Sequence, residues 1–171
     1  MIEKLAACCA ALETDAYLVG GFVRDWLLST KPGRDIDIAV AGDPDVIARE
    51  IAGRFGGTVV PLGQVHGIVR VAVPGGNETE EGPWNIDVDG FTGTIDEDLA
   101  RRDFTVNAMA VELSPASWGE LVDPHGGRAD LSGRVIRVLH AASFRDDATR
   151  LLRACPLFTS AASPQGLGLP P

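Results

Sequence analysis

The stretch GRDIDIAV, Gly33 to Val40, sets a constraint that any fold of this chain must satisfy. Asp35 and Asp37 alternate with Ile36 and Ile38, and side chains at i and i+2 of a strand point to one face. Two carboxylates therefore stand side by side on a strand whose remainder reads as buried. Each raises the proton affinity of the other and repels it. Two arrangements tolerate such a pair. The carboxylates can lie at a solvated strand end, paired with Arg24 or Arg34. Alternatively a hard divalent cation such as Mg²⁺ sits between them, leaving positions for water and substrate phosphates.

Composition narrows the setting. The 171 residues fit one domain, or a domain plus part of another, and 45% hydrophobic content suffices for a core. No run approaches the ~18 apolar residues of a membrane span, and the N-terminal sequence lacks a signal-peptide pattern. Cys8, Cys9 and Cys155 have neither zinc spacing nor a C-x-x-C pair, so they read as reduced thiols of a cytoplasmic protein. His66, His125 and His140 are scattered and receive no role. A net charge of −9 argues against a broad electrostatic grip on nucleic acid. All basic residues except Lys4 and Lys31 are arginine, whose planar fork suits phosphate recognition at particular points.

Periodicity and turn residues predict the order of elements. IEKLAACCAAL reads as a helix, YLV as a strand, FVRDWLL as a helix and DIDIAV as a strand. Asp43-Pro44 reads as a cap and first helical residue ahead of DVIAREIAGRF. GTVVPLG and GIVRVAV read as paired strands, PGGNETEEGP as an exposed loop and WNIDVDGF as another strand. Thr94 and Glu97 form a capping-box pattern ahead of IDEDLARR. FTVNAMAVEL is an apolar segment. WGELVDP and RVIRVL read as short strands around a Gly-rich turn, DPHGGRADLSG, and FRDDATRLLRA as a last helix.

Polar residues gather at particular joints of this pattern. Gly20-Gly21 falls between a strand and a helix, where backbone N–H groups can approach a phosphate, and Arg24 follows. Asp87 and Asp89 share a face of a further strand, and Asp87, or else Asp89, can join Asp35 and Asp37 as a third carboxylate of a two-metal site, unless both simply line a solvated edge. Arg101 and Arg102 can neutralise phosphates or pair with Asp96, Glu97 and Asp98. Asp103 can accept a ribose hydroxyl or cap the next helix. Asp147 and Arg150, three apart on a helix, share a face with Arg153 beside them. A carboxylate and a guanidinium held there can match the polar edge of a base.

Together, LVGGFVRDWLL, DIDIAV, DEDLARRDFTVNAMA, DPHGGRADL and FRDDATRLLRA resemble the head domain of class II tRNA nucleotidyltransferases. These are the CCA-adding enzymes and bacterial poly(A) polymerases, within the DNA polymerase β nucleotidyltransferase superfamily. The resemblance runs from about Tyr17 to Ala154. It implies an α+β fold, a small mixed β-sheet with helices packed on it. It also implies Mg²⁺-dependent transfer of CMP or AMP from CTP or ATP to an RNA 3′-hydroxyl, with a tRNA 3′ end as the acceptor.

By resemblance, Asp35 and Asp37 are metal ligands and Gly20, Gly21 and Arg24 face the triphosphate. Arg101, Arg102, Asp103 and Asn107 form the ribose and phosphate motif. Asp147 and Arg150 read the incoming base, with Arg153 as their neighbouring arginine. The arginine that the family carries after the Asp87 strand has no counterpart in DVDGFTG. On this reading residues 1–140 are the head, 141–155 the start of a helical neck, and 156–171 an aberrant, disordered tail. After LLRA the chain turns into CPLFTSAASPQG where the family continues into neck, body and tail, which reads as a truncation, a fragment or a frameshift. Leu151, Leu152 and Phe158, without neck partners, would favour self-association. CCA addition, CC-only addition, A-only addition and poly(A) synthesis share this head. A nucleotide-binding remnant without catalysis, or a plain structural domain, are the readings from other classes.

Overall fold

In the computed structural model, residues 1–29, 33–62, 67–75, 82–115 and 117–154 are described. Seven strands form one mixed sheet, ordered β3-β4-β5-β2-β1-β6-β7. They are β1 (Ala16–Val19), β2 (Asp35–Val40), β3 (Thr58–Pro61), β4 (Val69–Val73), β5 (Trp84–Gly90), β6 (Ala110–Glu112) and β7 (Leu121–Val122). Only the central pair β2 and β5 is parallel; the other neighbours are antiparallel. The α+β expectation with a small mixed sheet is met.

The alternation in DIDIAV decides which way β2 faces. Ile36, Ile38 and Val40 are fully buried, with Ile86 and Val88 of β5 and Val69, Val71 and Val73 of β4. Helix α1 (Ile2–Ala11) supplies Leu5, Cys8 and Cys9 to this core, and α3 (Pro44–Phe55) supplies Ile47, Ala48 and Ile51. Each such aliphatic side chain contributes about 1.5–3 kcal/mol by leaving water. Burial also pushes the Cys9 thiol up to about 12, so it stays protonated and acts as a small apolar group. Asp43 caps α3, accepting a hydrogen bond from the Asp45 N–H at 2.9 Å, with Pro44 in the first turn as expected.

The opposite face carries a smaller apolar cluster of Val19, Ala39, Phe91, Leu99 and Ala110 under α4 (Ile95–Ala100). Thr94 and Glu97 make both hydrogen bonds of the capping box that starts α4. Beyond this cluster the same face is polar, and the candidate site lies there.

Three expectations need correction. DPHGGRADLSG holds a helix, α5 (Gly127–Ser132), because Asp123 accepts hydrogen bonds from the Gly127 and Arg128 N–H groups (2.6 and 2.9 Å) and opens a turn that the glycines alone conceal. RVIRVL is not a strand; it makes one bridge, Phe104 to Val138, and the Thr105 N–H donates to the Arg137 carbonyl at 2.9 Å. FRDDATRLLRA is not one helix. A short α6 (Ser143–Asp146) ends at Asp147, whose backbone is extended (φ −149°, ψ 100°), and helix resumes over 150–154. The Asp147 carboxylate accepts from the Thr149 N–H and hydroxyl (2.9 and 2.6 Å), a local bond that competes with helix continuation. The tail 156–171 and most of PGGNETEEGP lie outside the described residues.

Candidate active site

The site forms where the turn after β1 meets the start of β2. Gly20 has φ +72°, a conformation favouring glycine, and starts α2 (Gly21–Leu27). A Cβ added at Gly20 would come within 3.0 Å of Asp37 Oδ2 and 3.7 Å of Arg102 Nη1. At Gly21 it would lie 3.4 Å from the Arg24 guanidinium. The two glycines thus bring bare backbone against a carboxylate and two arginines, as a phosphate-approaching turn requires.

Parallel pairing of β2 and β5 sets Asp35 opposite Asn85 and Asp37 opposite Asp87. The Asn85 side-chain amide donates to Asp35 Oδ1 at 2.8 Å. The Asp37 carboxylate accepts no hydrogen bond from the described residues, yet burial and then the charge of Asp87 push its pKa above the ordinary value, with Asp35 adding to the shift and Arg102 and Arg70 opposing it. Two hard oxygen donors, one of them short of partners in a partly dry site, fit a divalent cation such as Mg²⁺.

Asp87 does not complete a three-carboxylate cluster. Both its oxygens accept hydrogen bonds from Arg70 on β4, at 2.6 and 2.7 Å. Among the described residues no group of three His, Cys, Asp or Glu side chains is placed to hold a metal ion. The expected third carboxylate is here ion-paired with Arg70, a residue that the single-strand pattern does not single out. Arg70 alternates with valines in GIVRVAV, so only the three-strand register reveals that it faces Asp87.

Asp98 is a second residue whose importance appears only here. Its side chain is 1% exposed and holds two adjacent arginines. Arg101 reaches Oδ1 through Nε at 2.9 Å and Arg102 reaches Oδ2 through Nη2 at 2.9 Å. Of the open partners Asp96, Glu97 and Asp98, the buried one takes both guanidinium groups. The fork fixes Arg102 beside Asp37 and leaves Arg101 turned partly to solvent, 3.8 Å from Asp89.

Asp103 is engaged at both carboxylate oxygens. Its Oδ1 accepts from the Phe104 N–H (2.8 Å) and the Asn107 side-chain amide (3.1 Å). Its Oδ2 faces Arg153 at 3.6 Å. Arg24 donates to Asn107 Oδ1 at 2.8 Å and pairs with Asp25, so it orients the asparagine as well as backing the turn.

Asp147 and Arg150 do not share one helix face, because the helix is broken at Asp147. Arg150 donates to Ser143 Oγ at 2.6 Å and to the Arg101 carbonyl at 3.0 Å, and its buried Nε has no hydrogen-bond partner. Its Nε lies 4.0 Å from Asp147, too far for a hydrogen bond. Asp147 instead pairs with Arg153 at 2.7 Å, and the Thr149 hydroxyl and N–H hold its carboxyl below the ordinary range. One open cleft of about 480 Å³ joins these parts. Gly20, Gly21 and Asp37 line one side, Arg102, Asp103 and Asn107 another, and Arg150 and Arg153 close it. Of the expected residues, Gly20, Gly21, Asp37, Arg101, Arg102, Asp103, Asn107, Arg150 and Arg153 line this cleft, whereas Asp35, Arg24, Asp87 and Asp147 stand outside its lining.

This fold is that of the CCA-adding enzymes. The Thermotoga maritima CCA-adding enzyme complexed with tRNA-CCA superposes with a TM-score of 0.80 at 40% identity, over 91% of this chain and 36% of that one. A CCA-adding enzyme in complex with CTP gives 0.79 at 39% identity, over 91% and 36%. The chain belongs to the poly(A) polymerase head-domain family, whose sequence model matches residues 16–137. The A-adding tRNA nucleotidyltransferase of Halalkalibacterium halodurans is 39% identical over 170 residues, covering 90% of this chain and 37% of its own length. The CC-adding tRNA nucleotidyltransferase of Geobacter sulfurreducens is 44% identical over 140 residues, covering 81% and 30%. The chain spans about a third of the length of these relatives. Among the described residues no helix is long and apolar enough to cross a membrane.

Proposed function

We propose that this chain is the catalytic head of a template-independent RNA nucleotidyltransferase, which adds CMP and AMP from CTP and ATP to the 3′-hydroxyl of tRNA. Residues 1–140 form the head and 141–155 begin the neck. The observation that carries the reading is the contact of the Gly20 turn with Asp37 and Arg102. It sets a backbone able to meet phosphate, a hard anionic ligand and a fixed cation within one van der Waals shell. The names of the relatives, A-adding, CC-adding and CCA-adding, support the substrate class.

Each residue then has a physical task. Asp35 and Asp37 would hold Mg²⁺, which supplies the charge that lowers the pKa of the attacking hydroxyl and neutralises leaving pyrophosphate. Gly20 and Gly21 let the triphosphate approach the backbone closely. Arg102, fixed by Asp98, balances phosphate charge without moving during the reaction, the preorganisation that makes such a group effective. Asp103 and Asn107 offer an acceptor and an amide to the sugar, and Arg24 holds the amide in place. Arg150, Arg153 and Asp147 present donors and an acceptor to the edge of the base. Catalysis here is positioning plus electrostatics.

The test is a transfer assay with Mg²⁺, labelled CTP and ATP singly and together, and a tRNA lacking its 3′ end. Addition of up to three nucleotides, lost in Asp35→Asn and Asp37→Asn, is the expected result. Products ending after C, or containing A alone, would move the specificity to CC-only or A-only addition, and a long A tract to poly(A) synthesis. Mg²⁺-dependent nucleotide binding without transfer would make the chain a binding head. Transfer that survives both substitutions would overturn the site.

A further inference from the structure

Arg70 is the cation that the reaction reading leaves without a task. It sits on β4, directly opposite Asp87 on β5, and Asp87 is directly opposite Asp37 on β2. Three neighbouring strands therefore carry a row of Arg70, Asp87 and Asp37 across one face. The guanidinium engages both Asp87 oxygens, at 2.6 and 2.7 Å, the bidentate geometry that only arginine provides. The Asp87 side chain is 20% exposed and that of Arg70 34%, so the pair is partly shielded from water.

We propose that Arg70 is the resident counter-cation of this site: by locking Asp87 it confines the divalent cation to Asp35 and Asp37 and keeps the protein a one-cation site until a triphosphate arrives. This inference rests on the reading of Asp35 and Asp37 as cation ligands. With one lone pair of each oxygen taken by the fork, Asp87 cannot turn that face toward a metal held by Asp37 without breaking two charge-assisted hydrogen bonds. Its negative charge still acts on that metal through space, but already balanced. The row has a second consequence. If Asp87 were neutral, the guanidinium would lose its partner two strands from Asp37, whose carboxylate accepts no hydrogen bond from the described residues. Arg70 would then compete with the divalent cation for Asp37. The same arginine is thus protective when paired and inhibitory when released, and the sign of its effect depends on Asp87.

Direct counting of bound Mn²⁺, by the loss of the free-ion electron paramagnetic resonance signal, tests this in the nucleotide-free chain. The unmodified chain is expected to bind one Mn²⁺, weakened at least tenfold by Asp37→Asn. Arg70→Gln frees Asp87 and is expected to tighten Mn²⁺ about tenfold or to add a second ion. Asp87→Asn is expected to weaken Mn²⁺ about tenfold, and the double variant Arg70→Gln/Asp87→Asn to return close to the unmodified value. Arg70→Lys, which keeps the charge but not the fork, should fall between Arg70→Gln and the unmodified chain and serves if Arg70→Gln does not fold. An unchanged or weaker affinity in Arg70→Gln, or in Arg70→Lys where that variant stands in, overturns the proposal while leaving the ligand reading intact. So does a double variant no better than Asp87→Asn. Failure of the unmodified chain to bind Mn²⁺, or binding indifferent to Asp37→Asn, overturns the ligand reading and the proposal together.

Discussion

The floor and the far wall of the cleft are built on opposite terms. The floor, Gly20 to Val40 with β5, sits on a sheet whose register is fixed by a buried apolar face, so a one-residue slip would turn every isoleucine of β2 into solvent. The wall, Ser143 to Ala154, is two short helical pieces joined at an extended Asp147, with Leu151 and Leu152 exposed. Placement in the floor follows from backbone pairing. Placement in the wall follows from side-chain bonds of single residues, such as Asp147 to Thr149 and Arg150 to Ser143. The floor is therefore expected to be rigid before any ligand binds, and the wall to acquire its working geometry only when a ligand binds.

Substitutions can break this contrast, the largest effects falling in the floor. Asp35→Asn and Asp37→Asn are each expected to lower nucleotide transfer by about a thousandfold, read as initial rates with tRNA acceptor, without unfolding the chain. Asp37→Asn should even stabilise the cation-free protein. Folding raises the Asp37 carboxyl above its ordinary value, so its ionised form opposes folding at neutral pH. That penalty is full above the raised value and vanishes as pH falls through it toward the unfolded value. Urea melts with a chelator should show the Asn variant more stable at pH 7, the advantage shrinking on acidification.

Gly20→Ala tests the close approach. The left-handed backbone costs a side chain about 1–2 kcal/mol, and the new methyl would press on Asp37. Stability should fall by about that amount, and CTP affinity should fall as well. Asp98→Asn releases Arg101 and Arg102 from their shared buried acceptor, with an expected loss of about 2 kcal/mol in urea melts. Thr94→Ala removes the capping box of α4, at about 1 kcal/mol, and should leave nucleotide affinity alone. Asp147→Ala, in the exposed wall, is expected to shift the ratio of CTP to ATP use while moving the melting midpoint least of all.

The same contrast explains what could be read from residues alone. DIDIAV announced both a strand and a carboxylate pair, because a period of two leaves little freedom. Thr94-x-x-Glu97 and Asp43-Pro44 announced helix starts because capping is local chemistry. The α5 helix stayed hidden, since the carboxylate that accepts its first N–H groups is Asp123, three residues ahead of a Gly-Gly step that reads as a turn. The helix break at Asp147 was hidden for the converse reason: DDATRLLR has helical spacing, and only the Asp147–Thr149 bond interrupts it. Arg70 was out of reach of any single strand, because its meaning arises from the pairing of β4 with β5 and of β5 with β2.

The central claim, that the Gly20 turn and the two aspartates of β2 form one cation and triphosphate site, is tested most directly by calorimetric CTP titration with and without Mg²⁺. The unmodified chain and Asp37→Asn should be compared under identical conditions. The account predicts that Mg²⁺ tightens CTP binding at least tenfold in the unmodified chain and has no effect in the variant. Equal affinities with and without Mg²⁺ in the unmodified chain, or an undiminished Mg²⁺ effect in Asp37→Asn, would contradict it.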